Sequence, residues 1–168
     1  MSERMLLRPV GEEDLPALRA AMRSPQVMQY LSIRFTSSDP GLEQLEWYRE
    51  QLNLGTALFL TALNGDTLEF MGVFGVYFYL EAHQQAECGY WLLPEFWGKG
   101  YATEGVARLI HIASTRFKLH KLTATIESNH EQSRRVLEKC GFSFEGRQRE
   151  AELKLDKFIS LDHYGLIF

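Results

Sequence analysis

Residues 87–104 read ECGYWLLPEFWGKGYATE, and the architecture of the whole chain can be worked out from them. Its first seven residues are largely aromatic and aliphatic, which is typical of a buried strand. Pro94 cannot donate a ladder hydrogen bond, so we predict that the strand stops or splays there. Gly98 and Gly100 follow, and apolar residues then recur at helical spacing over residues 103–117. The sequence therefore predicts a strand, a glycine loop and a helix.

The glycine loop has two interpretations. Bare amides ahead of a helix N-terminus form a site suited to a phosphate or pyrophosphate. Many strand-to-helix turns, however, carry glycines only because these adopt positive φ. Two standard nucleotide loops do not fit. Lys99 is followed by Gly100 rather than by Ser or Thr, and Ala102 and Thr103 occupy the place of the third glycine of a dinucleotide fingerprint.

Residues 97–102, Trp-Gly-Lys-Gly-Tyr-Ala, resemble motif A of the GNAT superfamily, the acetyl-CoA-dependent N-acetyltransferases. The family pattern is Gln/Arg-x-x-Gly-x-Gly/Ala, and Trp97 stands in the place of the usual Gln or Arg. The longer string Gly-Lys-Gly-Tyr-Ala-Thr-Glu, residues 98–104, is similar to the RimJ/RimL-like branch. That branch is named for enzymes that acetylate the N-termini of ribosomal proteins.

A second segment of resemblance covers residues 129–142. The branch usually shows Asn-x-x-Ser-Arg-x-x-x-x-Lys-x-Gly-Phe, and here one extra residue separates Asn129 from Ser133. The resemblance implies that Asn129 binds the pantetheine arm of the cofactor and that Ser133 protonates the departing thiolate. From the residues alone, Ser128 and Asn129 are interpreted as helix caps, with Glu131 completing a capping box.

The resemblance also implies where acetyl-CoA binds. We expect the splayed strand end to offer free amides at Leu92 and Leu93 to the pantetheine arm and the thioester carbonyl. The side chain of Lys99 either pairs with a phosphate or is a solvated lysine. The remaining expected contacts come from the loop and the helix start: Trp97, Gly98, Gly100, Tyr101, Ala102 and Thr103.

Acetyl transfer to an amine requires a proton acceptor, because most free amines are protonated near pH 7. In several members of the superfamily a Glu on this strand is the general base, directly or through water, which implies this role for Glu87. The alternative is a surface carboxylate at a strand start. Tyr90 and Trp91 point to opposite faces, so we expect one in the core and the other beside the acceptor cleft.

The remaining pattern predicts a single domain over residues 1–168, an α/β (α+β) fold with a mixed, mostly antiparallel sheet that is splayed near residues 87–93. Asn64 and Gly65 predict a two-residue hairpin. The predicted strands cover residues 5–9, 57–63, 68–79, 87–93, 121–126, a segment beginning at residue 142, and 158–167. The predicted helices cover residues 14–22, a short segment from 25, 40–53, 103–117 and about 130–140.

Composition excludes several classes of protein. Hydrophobic residues make up 45% and charged residues 24%, which is ordinary for a globular protein. The net charge of -4 argues against general binding to nucleic acid. Glu3, Arg4 and Arg8 interrupt any signal peptide, and no apolar segment reaches the roughly 18 residues that span a bilayer. Cys88 and Cys140 are interpreted as buried thiols, so we expect a cytoplasmic protein.

The resemblance implies direct transfer from acetyl-CoA to a primary amine in a ternary complex, without a covalent enzyme intermediate or a metal. A peptide or protein N-terminus is the expected acceptor, selected by a cleft wall formed by residues 32–39 and the helix bearing Trp47 and Tyr48. A small amine, such as a polyamine, an amino acid or a drug, is the alternative. A non-catalytic CoA-binding module is a further alternative. The oligomeric state is left open, with a homodimer among the alternatives.

Overall fold

The computed structural model describes residues 3–31 and 35–168, so the expected loop at 32–39 lies partly outside the described residues. The strands are β1 (Met5–Pro9), β2 (Leu58–Asn64), β3 (Phe70–Leu80), β4 (Gln85–Leu92), β5 (Lys121–Glu127), β6 (Ser143–Lys154) and β7 (Lys157–Ile167). The helices are α1 (Leu15–Ala21), α2 (Pro25–Met28), α3 (Pro40–Asn53), α4 (Tyr101–Thr115) and α5 (Glu131–Lys139).

The strands form one sheet in the order β1-β2-β3-β4-β5-β7-β6. Within residues 3–31 and 35–168, the central pair β4 and β5 is the parallel one, and the other neighbours are antiparallel. The parallel pair requires a long crossover, which α4 supplies. The predicted mixed, mostly antiparallel sheet flanked by helices is confirmed.

The sheet opens at its centre. In the described part of the chain, β4 and β5 pair only where Gln85, Ala86 and Glu87 lie opposite residues 121–123. Beyond Glu87, β4 stays paired with β3 up to Leu92, and β5 stays paired with β7 up to Glu127. The two strands therefore part over their second halves, and the predicted splay is confirmed.

Each face of the sheet carries its own apolar cluster. On one face α4 and α5 pack over the central strands, and this cluster includes Phe74, Cys88, Leu92, Val106, Leu109, Leu122, Leu137 and Tyr164. On the other face α1 to α3 cover β2 to β4, and this cluster includes Leu18, Val27, Leu45, Tyr48, Phe59, Val73 and Trp91. Successive side chains of β4 point alternately to the two clusters. The parted ends of β4 and β5 therefore lie between the two clusters.

The connection from β2 to β3 differs from the predicted two-residue hairpin. Residues 65–69 form a longer loop, in which the Asn64 side chain accepts hydrogen bonds from the amides of Asp66 and Thr67. The amide of Gly65 donates to the carbonyl of Arg4, 2.9 Å away, just before β1. The chain does turn at Asn64 and Gly65, as predicted, but the loop is longer than two residues, and the Leu68 amide donates to the Asn64 carbonyl at 2.9 Å.

Two element boundaries also differ from the prediction. α4 begins at Tyr101 rather than at residue 103, so the first helical turn directly follows the glycine loop. β6 begins at Ser143, since Phe142 is buried in the core instead, and β6 continues to Lys154. The length of β6 was missed because this edge strand is polar and exposed along most of its course, and so lacks the alternation that predicts strands.

The structure bears on two expectations from composition, namely the lack of a membrane-spanning segment and the state of the two cysteines. Among the described residues, no helix has the length and apolar character needed to cross a membrane. Cys88 and Cys140 are both free thiols, Cys88 buried and Cys140 half-buried at the end of α5.

Candidate active site

The parted end of β4 presents backbone groups toward the opening. The amide of Leu93 donates to the carbonyl of Met71 on β3, at 2.8 Å. Successive residues of an antiparallel strand turn their amides to alternate sides, so the Leu92 amide faces the opening. The prediction of a free amide is therefore kept for Leu92, but for Leu93 it was wrong, because β3 continues to pair up to that residue.

Trp97 lies at the same end of the opening. Its indole Nε1 donates to the Leu92 carbonyl at 2.8 Å, and the side chain is 36% exposed. Trp97, which departs from the motif A pattern, therefore hydrogen-bonds the end of β4.

The glycine loop adopts the backbone conformation that its residues predict. Gly98 has a φ of 71° and Gly100 a φ of 85°, and a Cβ at either residue would meet no heavy atom within 4 Å. Gly100 is the N-cap of α4, and it has no side chain that could bond the amides of the first turn. The amides of residues 101–103 therefore begin a helix without intrahelical acceptors, as an anion site requires.

Arg4 holds this loop from outside, a contact that sequence reasoning missed. Its guanidinium donates to the Lys99 carbonyl at 2.7 Å and lies 4.5 Å from the centre of the Tyr101 ring. Two bare glycines would leave the loop with wide conformational freedom. The bond and the cation–π contact restrict it at the residue between the glycines. The Lys99 side chain itself is exposed.

Glu87 is a half-buried residue inside β4, so its interpretation as a surface carboxylate at a strand start was wrong. Burial raises the pKa of Glu87 above its ordinary value, and hydrogen bonds from Thr125 and Tyr77 offset part of that rise. Tyr77 is the direct partner of Glu87 on β3, and Thr125 lies on β5. The carboxyl group is thus held between the two strands that flank β4.

Gly89 leaves room beside Glu87 on the same face of the sheet. A Cβ at Gly89 would lie 2.6 Å from the Tyr77 hydroxyl, which is closer than real Cβ atoms approach. The absence of a side chain therefore allows Tyr77 to reach across β4. Trp47 from α3 packs edge-on against the Tyr77 ring, at a centroid distance of 6.3 Å. Tyr48, the neighbouring candidate for the cleft wall, is instead a core residue whose hydroxyl accepts a hydrogen bond from Trp91.

Ser133 lies on the opposite face of the sheet from Glu87. It is 5% exposed, and its hydroxyl is 2.6 Å from that of Tyr90, which stacks on Phe74 in the core. Burial raises the pKa of Tyr90, so both hydroxyls of the pair stay protonated at neutral pH. Sequence reasoning singled out Ser133, but it did not pair Ser133 with Tyr90.

The predicted capping box of α5 is wrong. The N-cap is His130, and its ring stacks on that of Tyr30 at 3.8 Å instead of capping the helix. The amide of Ser128 extends the sheet by donating to the Ser160 carbonyl, and the Glu131 carboxylate pairs with Arg134. Asn129 is exposed and is not the cap.

Charged and aromatic groups close the far end of β5. Glu127 is buried and pairs with Lys154, whose ammonium group also donates to the Gln29 carbonyl after α2. Burial and the nearby Lys154 lower the pKa of His130 to about 4, so His130 is neutral at pH 7. These contacts hold the residues after α2 against β6 and the start of α5.

The structure thus brings most of the predicted site residues to one region. Glu87 and Ser133 lie on opposite faces beside the opening, and the loop with the α4 N-terminus lies beyond the end of β4. Asn129 is exposed at the end of β5 and stays a prediction as a cofactor contact. In residues 3–31 and 35–168, no group of three His, Cys, Asp or Glu side chains is placed to hold a metal ion.

Comparison with known proteins places this arrangement in a family. The sequence pattern of the acetyltransferase (GNAT) domain matches residues 4–143, well over half of the chain. The chain belongs to the GNAT family of N-acetyltransferases. A relative from Bacillus licheniformis, the uncharacterized N-acetyltransferase p20, is 28% identical over 167 residues, which cover 99% of this chain and 94% of p20.

Two solved structures share the GNAT fold of this chain. The spermidine N-acetyltransferase of Vibrio cholerae, in complex with CoA and spermine, superposes with a TM-score of 0.87 at 20% identity, covering 98% of this chain and 95% of that one. RimL, a ribosomal L7/L12 α-N-protein acetyltransferase in complex with coenzyme A, superposes with a TM-score of 0.86 at 21% identity, covering 99% and 95%.

Proposed function

We propose that this GNAT enzyme transfers an acetyl group directly from acetyl-CoA to a primary amine, most favourably the α-amine of a peptide or protein. The observation that carries the proposal is the opening between β4 and β5, with Glu87 on one face and Ser133 on the other. A thioester held in the opening would meet the amine from the Glu87 face. Its sulfur would leave toward the Ser133 face.

The residues around the opening fit acetyl-CoA. The first-turn amides of Tyr101, Ala102 and Thr103 follow the glycine loop at the N-terminus of α4, and we assign the pyrophosphate to them. We assign the Leu92 amide, which faces the opening because the Leu93 amide bonds β3, to the pantetheine arm or the thioester oxygen. Three further residues are kept as contacts in the proposal: Trp97, Lys99 and Asn129.

Glu87 is the proposed general base. Hydrogen bonds from Tyr77 and Thr125 orient its carboxyl group, and burial moves its pKa upward, toward the working pH of a base. Gly89 lets the Tyr77 hydroxyl reach across β4 on the face that carries the Glu87 carboxylate. Ser133 is the proposed acid, and its hydroxyl is held by Tyr90.

The charged groups on the Glu87 face favour an α-amine as the acceptor. An α-amine has an ordinary pKa of about 7.7–8.0, against about 10.4 for a lysine-type amine, so it gives its proton to a carboxylate more readily. A polyamine carries further ammonium groups that need acidic partners. Glu127, which points to the same face as Thr125, is already paired with Lys154. This pairing favours an acceptor with one charged amine.

An acceptor panel tests the proposal. Purified protein is incubated with acetyl-CoA and one acceptor at a time, and CoA release and the mass of the product are measured. The panel holds a peptide with a free N-terminus, its N-blocked counterpart with an internal lysine, free amino acids, spermidine and an aminoglycoside. We expect acetylation of the free N-terminus alone. Rapid acetylation of spermidine without the peptide would assign a small-molecule enzyme, and binding of CoA without turnover would assign a non-catalytic module.

Three further sequence predictions belong to this proposal: one domain over residues 1–168, a cytoplasmic location and a homodimer as the alternative to a monomer. Light scattering of the purified protein measures the last of these. Cell fractionation measures the second.

A further inference from the structure

Two oxygen atoms converge on the ammonium group of Lys154 at the end of β5 that parts from β4. The carboxylate of Glu127, a residue that is 5% exposed, accepts a hydrogen bond from this ammonium group. The carbonyl of Gln29 accepts another from the same group at 2.5 Å. An ammonium group has three protons to donate and no lone pair, so a buried carboxylate and a carbonyl aimed at one point form the surroundings that it requires.

This pair of oxygens lies on the same face of the sheet as Glu87. Glu87 is the direct neighbour of Thr123 where β4 and β5 still pair. Thr123 and Glu127 are four residues apart on β5, so they share that face and lie about 13 Å apart along the strand. One edge of β5 is paired with β7 as far as Glu127, so the other edge faces the opening beyond Thr123. Glu127 therefore stands at the far end of the face from which the proposed acceptor approaches.

We propose that Lys154 is a specificity-determining residue, whose ammonium group occupies the place that a second ammonium group of a diamine or polyamine would take. The inference deepens the proposed function and rests on it, since the acceptor amine is taken to react beside Glu87. With Lys154 in place, a second charged amine meets a carboxylate and a carbonyl that are already bonded. It would lose its hydration there without gaining a partner, which disfavours binding. An acceptor with a single charged amine meets no such penalty.

Lys154 reaches this place from a distant part of the chain. It is the last residue of the edge strand β6, whereas Glu127 ends β5 and Gln29 follows α2. A nearly buried carboxylate needs a cationic partner, because an unpaired buried charge strongly destabilises the folded state. The alternative role of Lys154 is therefore structural, namely to neutralise Glu127. The two roles differ in one respect, since only an ammonium site accepts an ammonium group of a ligand in place of Lys154.

Lys154→Ala tests the inference with two acceptors, diaminooctane and octylamine, which share one carbon chain and differ by one ammonium group. We expect the ratio of kcat/KM for diaminooctane to that for octylamine to rise by about 10-fold or more over the wild-type ratio, because the freed carboxylate attracts the second ammonium group. Diaminopropane is too short to reach from Glu87 to Glu127 and should show no gain. Lys154→Met keeps the apolar stem and removes only the ammonium group, so it serves if Lys154→Ala does not fold.

Two further variants are controls. The double variant Glu127→Gln with Lys154→Ala removes the carboxylate as well, so the gain for diaminooctane should disappear. Lys121→Ala breaks an ion pair of the same kind elsewhere on β5, in which Lys121 bonds Glu145 at 2.8 Å and the Glu145 side chain is 38% exposed. This variant should keep the wild-type ratio, because an exposed carboxylate holds a ligand ammonium group only weakly.

A measurement without turnover separates an ammonium site from a structural ion pair. His130 stacks on Tyr30, and burial and the charge of Lys154 lower the pKa of His130 to about 4. In Lys154→Ala this pKa, followed by NMR, should rise because the positive charge is gone. It should fall again when diaminooctane is added, and it should not respond to octanol, which carries no charge. A pKa of His130 that does not respond to diaminooctane would overturn the ammonium site even if no acceptor is acetylated.

The outcomes separate this inference from the proposed function. If the wild-type protein acetylates a free peptide N-terminus while folded Lys154→Ala and Lys154→Met keep the wild-type ratio, the ammonium site is overturned and the proposed function stands. If the ratio rises in Lys154→Ala but the wild-type protein acetylates no peptide, the ammonium site stands and the peptide assignment fails. Rapid acetylation of spermidine by the wild-type protein would overturn both, since Lys154 would then not exclude a second ammonium group.

Discussion

The hydroxyls of Tyr90 and Ser133 lie 2.6 Å apart, although 43 residues separate them in sequence. Tyr90 belongs to the parted half of β4, and Ser133 belongs to the helix that follows β5. The bond therefore joins the two sides of the opening on the face away from Glu87. It fixes the rotamer of a serine that would otherwise turn freely, and this is the orientation that a proton donor requires.

Ser133→Ala should lower kcat by about 10²-fold while changing the KM for acetyl-CoA little, because the hydroxyl acts on the leaving thiolate after binding. Tyr90→Phe should cause a smaller loss, since Ser133 keeps its proton and loses only its orientation. Steady-state kinetics measures both. Ser114→Ala is the matched control, since this exposed serine on α4 bonds only a backbone carbonyl, at 3.0 Å. A Ser133→Ala enzyme with wild-type kcat would contradict the assignment.

Gly100→Ala should weaken acetyl-CoA binding by about tenfold or more, equivalent to roughly 1.4 kcal/mol. The added methyl would meet no heavy atom of the protein within 4 Å, so we expect it to weaken binding by obstructing the phosphate that the proposal assigns to this loop. Positive φ also strains an alanine by about 1–2 kcal/mol, which has to be separated from the effect on binding.

Gly55→Ala provides that separation. Gly55 lies at the end of α3 with a φ of 72°, and a methyl group added there would meet no heavy atom within 4 Å. Both variants should lose similar thermal stability, but calorimetry should show weakened acetyl-CoA binding only for Gly100→Ala. Equal affinity in the two variants would remove the loop from the binding site.

The pH dependence of kcat/KM should report Glu87. Its raised pKa means that the carboxylate, which is the active form of a base, is lost as the pH falls through that raised value. The acid limb should therefore lie above the ordinary pKa of a glutamate. The Tyr77 hydrogen bond favours the carboxylate, so Tyr77→Phe should raise the pKa further and move the acid limb to higher pH. Glu87→Gln should remove this limb, and an unmoved limb in Tyr77→Phe would assign it to another group.

The sequence predicted what local chemistry determines. A largely aromatic and aliphatic run indicated β4, Pro94 marked its end, and the two glycines marked the turn into α4, so the opening of the sheet was expected correctly. The GNAT resemblance then placed Glu87 and Ser133 beside that opening.

The errors share a physical cause, which is a contact with a distant segment. Gly65 donates to Arg4 beside β1, Leu93 donates to Met71 on β3, and Ser128 donates to Ser160 on β7. In each case a distant carbonyl accepts a hydrogen bond from a backbone amide, in a residue that the local sequence assigned to a turn, to the cofactor site or to a helix cap. The same limitation hid Thr125 and Arg4, since neither lies within a recognisable motif.

Arg4→Gln tests the most distant of these contacts. The Arg4 guanidinium holds the loop through the Lys99 carbonyl at 2.7 Å and the face of the Tyr101 ring. Without it the loop must become ordered when acetyl-CoA binds, at a cost of about 1–2 kcal/mol per residue fixed. We expect the KM for acetyl-CoA to rise by about 3–10-fold, with kcat nearly unchanged.

Two further variants decide how Arg4 acts. Arg116→Gln removes a guanidinium that lies 5.8 Å from the centre of the Phe117 ring just beyond the other end of α4, and it should leave KM unchanged. Arg4→Lys keeps the charge but loses the planar group that bonds and stacks at once. If anchoring is the role of Arg4, Arg4→Lys should resemble Arg4→Gln. A wild-type KM for Arg4→Lys would show instead that the positive charge attracts the phosphates directly.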